Sequence, residues 1–462
     1  MQRTLLWKIA LIGIVALLLQ IPVEMIRGLV AERKQARDGV IAEVARGSSE
    51  AQRIVGPVLY VPWTRRTAEA TTTTDDGGHS RTVRREKVEH GHVALLPATL
   101  SVEGNIEMQQ KHRGIYTAQV YTLVATLRGS FALPPDLGMP EGPGTLAWGR
   151  ALLVLGIQDT RGIRESVKLE WDGAQPTLFP GGVDAAGTPN GIHADLGLLP
   201  VNKTSVTREF RIALSLLGTE RLDIVPVGAA TTVALASAWP HPSFTGRILP
   251  DAGTKVSRDG FAAQWRTSHF ATNLAQLHQR CVQSRQCDAF NQHSLTVSFV
   301  QPVDLYQTVE RSVKYGFLFI GLTFAAFFLF EVLQRLAIHP MQYALVGLAL
   351  AIFFLLLISL SEHVGFAVAY AIASVSCVAL NGYYVSHVLK SVRRGVLFGL
   401  ALSALYGLLY VLLRVEDHAL LMGSVLVFAC IASAMVATRR LDWYSLAANP
   451  PATEPPAVGK PA

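Results

Sequence analysis

Six apolar stretches divide this chain of 462 residues into two greasy ends and a polar middle. Residues 5–23 (LLWKIALIGIVALLLQIPV) form the first, and 313–332, 341–360, 364–386, 395–413 and 418–437 follow close together. A helix that crosses a bilayer needs about 20 mostly apolar residues. Inside lipid, every backbone polar group must be satisfied within the segment itself. The pattern therefore predicts a membrane protein of α+β type. It has an N-terminal signal-anchor helix (1–31), a large β-rich periplasmic domain with an N-terminal helix (32–311), a bundle of five transmembrane helices (312–438) and a cytoplasmic disordered tail (439–462). The tail, SLAANPPATEPPAVGKPA, is rich in Pro and Ala and poor in charge, which leaves it little to fold around.

Charge sets the expected orientation. With six spans both ends share a side, and putting that side in the cytoplasm leaves Arg335, Lys390, Arg393, Arg394, Arg439 and Arg440 on inner segments. The short outer turns, 361–363 and 414–418, carry only Arg414. Short loops follow this positive-inside bias. The anchor argues the other way, with Arg27, Arg33, Lys34 and Arg37 after it against Arg3 and Lys8 before it. Long domains translocate largely regardless of charge, so the bundle decides. The expectation is a multi-pass protein of the bacterial inner membrane with both termini cytoplasmic. The net charge of +7 comes from scattered residues without aromatic interleaving. Membrane lipids are the partners this implies, and nucleic acid is not. Of four cysteines, Cys281 and Cys287 lie in the aqueous region, where an oxidising compartment would permit a local disulfide.

Residues 24–52 have helix-forming composition without an internal break after the anchor. From Gly56 onward the texture changes to short runs of period 2, among them GPVLYVPW, YTAQVYTLVATLRGSF and REFRIALSLLG, separated by Gly, Pro, Asp and Asn. Such spacing predicts antiparallel sheets in a sandwich or a long curved sheet. Residues 66–90 read as a polar hairpin tip or a mobile loop, and 269–288 as a short helix carrying the paired cysteines. WPHPSFTG (239–246) reads as a corner stiffened by two prolines.

No GxSxG, HExxH, Walker A loop or dinucleotide-binding glycine fingerprint occurs. The sequence thus assigns no catalytic residue, no cofactor and no metal. Candidate functional positions are nonetheless visible. Glu362 and His363 share one outer turn, and Glu416, Asp417 and His418 the other, so oxygen and imidazole groups could converge on one face. The simpler reading is that outer turns are polar and avoid Lys and Arg. Glu331 closes a span, and an ionisable group there is a functional candidate by default. Arg335, four residues later, is its nearest helical counter-charge. His339-Pro340 then turns the chain. Gly395, Gly399, Ser403 and Gly407 recur every four residues, a small-residue stripe that lets a second helix approach. His90 and His92 share one strand face, a weak metal signal.

At WPHPSFTG, VDLYQTVERSVKYGFLFIGLTFAAFFLFE, HPMQYALVGLAL, SLSEHVGFAVAY, LYGLLYVLL, EDHALLMGS and TRRLDWY the chain resembles the CreD family of bacterial inner-membrane proteins. The resemblance implies an anchor, a periplasmic domain and a helical bundle. It also implies a regulon answering envelope stress and a link to colicin and β-lactam tolerance. It implies no enzyme activity and no catalytic residue. Glu331, His339, Glu362, His363, Glu416, Asp417 and Trp443 fall in the matching segments and are candidates only. The Cys281–Cys287 pair falls outside the family pattern. The expected function is non-enzymatic support of envelope integrity, through a periplasmic domain that binds a protein or cell-wall partner. The alternative is a transporter or lipid handler that uses the bundle as a path.

Overall fold

The computed structural model of the protein describes residues 2–74, 80–201, 203–299, 305–333, 338–414 and 419–439. The chain divides into a helical unit, Met1–Arg37 with Val303–Ala462, and a β-rich unit, Asp38–Pro302.

The β-rich unit is built on two sheets. Among the described residues, the first has nine strands. Pro242–Gly246, Leu295–Phe299, Arg221–Val225, Gln52–Thr74, Ala151–Ile157, Gly191–Gly197 and Leu178–Pro180 lie side by side, while Ser80–Leu95 and Thr145–Trp148 also pair with Gln52–Thr74. The second sheet runs Lys255–Ser257, Gly260–Ser268, Ala230–Ser237, Thr99–Arg113, Tyr116–Leu133, Val206–Thr219, Lys168–Trp171. Side chains alternate across a strand, and one alternate set from each sheet forms a common core. Leu59, Val61 and Leu153 come from the first sheet, and Val102, Leu127, Phe131 and Trp265 from the second. Each such side chain contributes about 1.5–3 kcal/mol by leaving water.

Antiparallel pairing dominates, as the alternating runs predict, but among the described residues two parallel pairs also occur. Residues 52–55 pair with 222–225, and 99–106 with 230–237. A shared corner sets the second of these. Residues 95–99 and 225–230 leave the first sheet for the second together, joined by Ala229 N–H to Pro97 O at 2.8 Å and Ala230 N–H to Ala98 O at 3.0 Å. The polar stretch 66–90 is the hairpin of its two expected forms. Its arms pair continuously from Leu59↔Leu95 to Thr74↔Ser80, and its tip, 75–79, lies outside the described residues. The WPHPSFTG segment turns a corner on Trp239, whose Nε1 donates to His241 O at 3.0 Å. It then becomes the edge strand Pro242–Gly246, which pairs with Leu295–Phe299.

Two buried polar side chains tie this unit together. Gln52 is fully buried, and its amide nitrogen donates to Ser49 Oγ at 2.6 Å and to the carbonyls of Asp159 and Leu217 at 2.9 Å. Asp159 N–H returns a bond to Gln52 Oε1 at 3.2 Å. Tyr121 OH donates to Arg221 O at 2.8 Å, which links the two sheets. Burial pushes the Tyr121 phenol far above its ordinary value, so it stays a neutral donor.

The helical unit opens with Gln2–Leu18 and Gln20–Gly47, the second of which continues past the division at Arg37. Among the described residues, four helices are long and apolar enough to cross a membrane, counting this N-terminal one with Pro340–Val364, Phe366–Val388 and Val392–Arg414. A fifth is available if Leu305–Lys314 and Gly316–Leu329, bent by 42° at Tyr315, count as one. The continuous span expected at 313–332 is therefore broken near its start. The preceding segment is an amphipathic helix that buries Tyr306, Val309 and Val313. Ala419–Thr438 is also helical, with a shorter apolar stretch over Leu421–Ser433. Its following tail lies outside the described residues from 440.

The small-residue stripe packs where Gly395 and Gly399 meet Phe366–Val388. A Cβ at Gly395 would lie 2.4 Å from the Ser386 Cβ and 2.9 Å from Gly382 O. Gly407 has open space around it and takes no part. Gly395→Leu should force these helices apart and cost about 1–3 kcal/mol. It should show as an earlier thermal unfolding midpoint of the detergent-purified chain, whereas Gly407→Leu should leave the midpoint unchanged.

Candidate functional site

The helical unit buries a carboxylate. Glu331 is 5% exposed near the end of Gly316–Leu333. Lys8, on the N-terminal helix, forms a salt bridge with Glu331 Oε1. Tyr343 OH donates to Oε2 at 2.7 Å, and the Ile338 N–H donates to Oε1 at 3.1 Å. Three elements distant in sequence thus converge on one side chain. A charge removed from water costs several kcal/mol unless a counter-charge and hydrogen bonds replace the lost hydration, and both are present here. Arg335 lies outside the described residues.

His339 sits beside this cluster and starts the next helix. Its Nδ1 accepts from Met341 N–H at 3.2 Å, and Gln342 Oε1 accepts from the His339 N–H at 3.3 Å. With Pro340 at the first helical position, this is a reciprocal cap. A pocket of about 430 Å³ opens here between Trp7, Leu11 and Ile14 on one side and Ile338, His339 and Pro340 on the other. Glu331 and His339, two of the residues singled out in sequence, are brought together.

Glu362 and His363 lie apart from that cluster. Glu362 Oε1 accepts from Tyr306 OH at 3.0 Å, and Arg37 stacks over the Tyr306 ring with its guanidinium 5.3 Å from the centroid. His363 Nδ1 bonds back to Ser359 O at 3.1 Å. Glu416, Asp417 and Trp443 lie outside the described residues. Among the described residues no group of three or more His, Cys, Asp or Glu is placed to hold a metal ion.

Deeper in the helical unit a second polar network is enclosed. Tyr406 OH donates to Cys377 Sγ at 3.1 Å, Asn381 Nδ2 donates to Cys377 O at 2.9 Å, and Tyr370 OH donates to Tyr406 O at 2.7 Å. The rings of Phe319 and Phe353 pack on Tyr406 at 4.9 and 4.7 Å. The hydrogen bonds tie Phe366–Val388 to Val392–Arg414, and the two rings bring in Gly316–Leu333 and Pro340–Val364.

In the β-rich unit Cys281 lies on the helix Leu274–Ser284 and Cys287 just beyond its end, so the short helix expected over 269–288 is interrupted at Asn273 and again at 285–287. Cys281 and Cys287 are bonded, with Cα atoms 4.4 Å apart. Cys281 packs on Gly187, where an added Cβ would lie 2.8 Å from its sulfur. One turn earlier, His278 Nε2 bonds to Ala186 O at 2.9 Å, and its ring meets Phe290 at 5.2 Å. The helix is therefore clamped on the 184–187 turn. Replacing both cysteines by serine removes a six-residue closure, a loss of about 2 kcal/mol. Reduction of the wild-type protein should lower its unfolding midpoint by the same amount as the double substitution does.

Burial pushes the His278 imidazole below its ordinary 6.5. The folded state therefore binds fewer protons than the unfolded chain as pH falls below 6.5. Stability from this neutral ring is complete above that value and declines below it. His278→Gln should flatten the decline in unfolding temperature measured between pH 7.5 and 5.5.

The lone cation and lone anion in separate apolar stretches were the readable signal for the Lys8–Glu331 pair, since an ion in a span calls for a partner.

The match to known sequences decides the family. The model for inner membrane protein CreD covers residues 4–444. The chain belongs to the CreD family. The inner membrane protein CreD of Escherichia coli is 37% identical over 448 residues, which cover 96% of this chain and 95% of that one. The CreD architecture here is that of a membrane protein with an N-terminal apolar helix, a β-rich domain and several C-terminal apolar helices. Among solved structures, a zinc metallopeptidase from Deinococcus radiodurans aligns at 10% identity over 44% of this chain and 42% of its own, with a TM-score of 0.22. A putative nutrient binding protein from Legionella pneumophila aligns at 9% identity over 49% and 76%, with a TM-score of 0.21.

Proposed function

We propose that this CreD-family chain is a non-enzymatic inner-membrane protein that supports cell-envelope integrity under envelope stress. Its β-rich unit faces the periplasm and binds a protein or cell-wall partner there. Its helices anchor that unit, with both termini in the cytoplasm and the bent pair and Ala419–Thr438 each counting as a span. The near full-length match to an inner membrane protein carries this reading. The bias of Lys390, Arg393, Arg394 and Arg439 against a single outer Arg414 supports the orientation. A disulfide on the β-rich unit suits an oxidising compartment.

Deletion of the gene should raise the entry of a hydrophobic fluorescent dye into cells under cell-wall stress, and the wild-type copy should restore the barrier. An unchanged barrier in the deletion strain would refute the reading. The lipid-handling alternative draws on the pocket beside Lys8. It requires a water-open path, so cysteines placed singly along 395–413 should then react with aqueous thiol reagents. Uniform protection would exclude that path.

A further inference from the structure

The β-rich unit contains a cleft of about 940 Å³. Its volume lies toward the upper end for ligand clefts, about 300–1,000 Å³. One wall is formed by nine consecutive residues, 90–98. A strand that presents a face contributes every second residue. A consecutive run therefore means that the strand's edge, with its backbone N–H and C=O groups, borders the space. The opposite wall is one stripe of the helix Leu274–Ser284, formed by Leu274, Ala275, His278, Gln279, Val282 and Gln283. That helix is the one clamped by the disulfide and by the His278–Ala186 bond.

We propose that this cleft binds an extended, uncharged segment of a partner polypeptide, which adds as a strand to the free edge of Ser80–Leu95. The proposal rests on the reading of the β-rich unit as a partner-binding domain and names the partner's chemistry. Three observations carry it. First, among the described residues Ser80–Leu95 pairs only with Gln52–Thr74, so its other edge offers alternate donors and acceptors that need satisfaction. Second, the edge is guarded unequally. Residues 84–89 (RREKVE) carry the charges that normally keep strand edges apart, whereas 90–96 (HGHVALL), at the cleft, carry no carboxylate, Lys, Arg or Pro. Third, no Asp, Glu, Lys or Arg lines any part of the cleft. A charged side chain entering it would lose hydration without a counter-charge. An acyl chain would leave the strand edge unsatisfied and a sugar would leave the apolar side-chain space unfilled, whereas an extended peptide fills both.

The test uses the full chain in detergent micelles and fluorescent hexapeptides, acetylated and amidated, that alternate Val or Leu with Thr. Binding is read by anisotropy. The same peptides N-methylated at alternate residues keep their side chains but lose the edge hydrogen bonds. Ala275→Trp, at an exposed position on the helical wall, fills the cleft without disturbing the core. The expected result is saturable binding that weakens at least about tenfold on N-methylation and on Ala275→Trp. Equal binding of the methylated and unmethylated peptides would overturn the proposal in favour of an apolar small-molecule site. So would binding of none of them. Neither failure touches the envelope-integrity reading, which the deletion phenotype decides separately.

Discussion

Lys8→Met is expected to destabilise the helical unit by about 3–5 kcal/mol, the cost of leaving one member of a buried ion pair without its counter-charge. The two partners are not equivalent. Glu331 is 5% exposed and held by Tyr343 and the Ile338 N–H. The Lys8 side chain is 24% exposed on a long flexible stem. Freed of its partner, it can carry its ammonium toward the membrane surface. Glu331→Gln should therefore cost less than Lys8→Met, because it leaves no buried charge unpaired, its oxygen can still accept from the Ile338 N–H, and its amide nitrogen can donate to the Tyr343 hydroxyl. The double variant Lys8→Met/Glu331→Gln should recover much of the loss, since it removes both charges at once. Urea unfolding of the purified protein, run as a double-mutant cycle, measures this coupling. Additive losses would show that the pair is incidental. The functional consequence follows from position, because Lys8 is the charge by which the N-terminal helix is held to the C-terminal helices.

The second large effect lies in the sandwich. Trp265→Ala should cost about 3–5 kcal/mol. Trp265 is among the largest fully buried side chains, and it meets the edge of Phe244 with ring centroids 5.6 Å apart. Phe244 in turn meets Phe261 at 5.5 Å. These rings join the edge strand Pro242–Gly246 of one sheet to Gly260–Ser268 of the other. Truncation would leave a cavity that rigid strands on both sides cannot close. Trp265→Phe should cost clearly less, because it keeps most of the ring contact. It also removes a buried Nε1–H that has no hydrogen-bond partner among the described residues. Thermal unfolding followed by near-ultraviolet circular dichroism ranks the three proteins. Equal loss for Phe and Ala would contradict the packing account, since a phenyl ring would then recover none of the lost contact.

Much of the architecture is legible in the residue pattern because each element answers a local rule. Lipid demands long apolar runs, so Pro340–Val364, Phe366–Val388 and Val392–Arg414 stand out in sequence within a few residues of their ends. Period-2 runs mark the strands of the second sheet. The break at Tyr315 is less visible, since the amphipathic helix before it ends where the apolar run begins and no proline marks the bend. The candidate site is legible only in part. Glu331 and His339 stand out by type, but Lys8 is 323 residues away from its partner, and the nearest local answer was Arg335. Strand order hides the cleft in the same way. That the edge at 90–96 faces a helix beginning at Leu274 follows from how two strands turn one corner together, and no local spacing encodes it. The cysteines are near neighbours in sequence, so their spacing alone allows the bond between them.

A periplasmic partner requires the β-rich unit to lie outside the cytoplasm. A cysteine placed at the highly exposed Phe270 (Phe270→Cys, with Cys281 and Cys287 changed to serine) tests this directly with a membrane-impermeant maleimide. The proposed orientation predicts full labelling in intact spheroplasts, with no increase on lysis. Labelling that appears only after the membrane is opened would place the unit in the cytosol and contradict it.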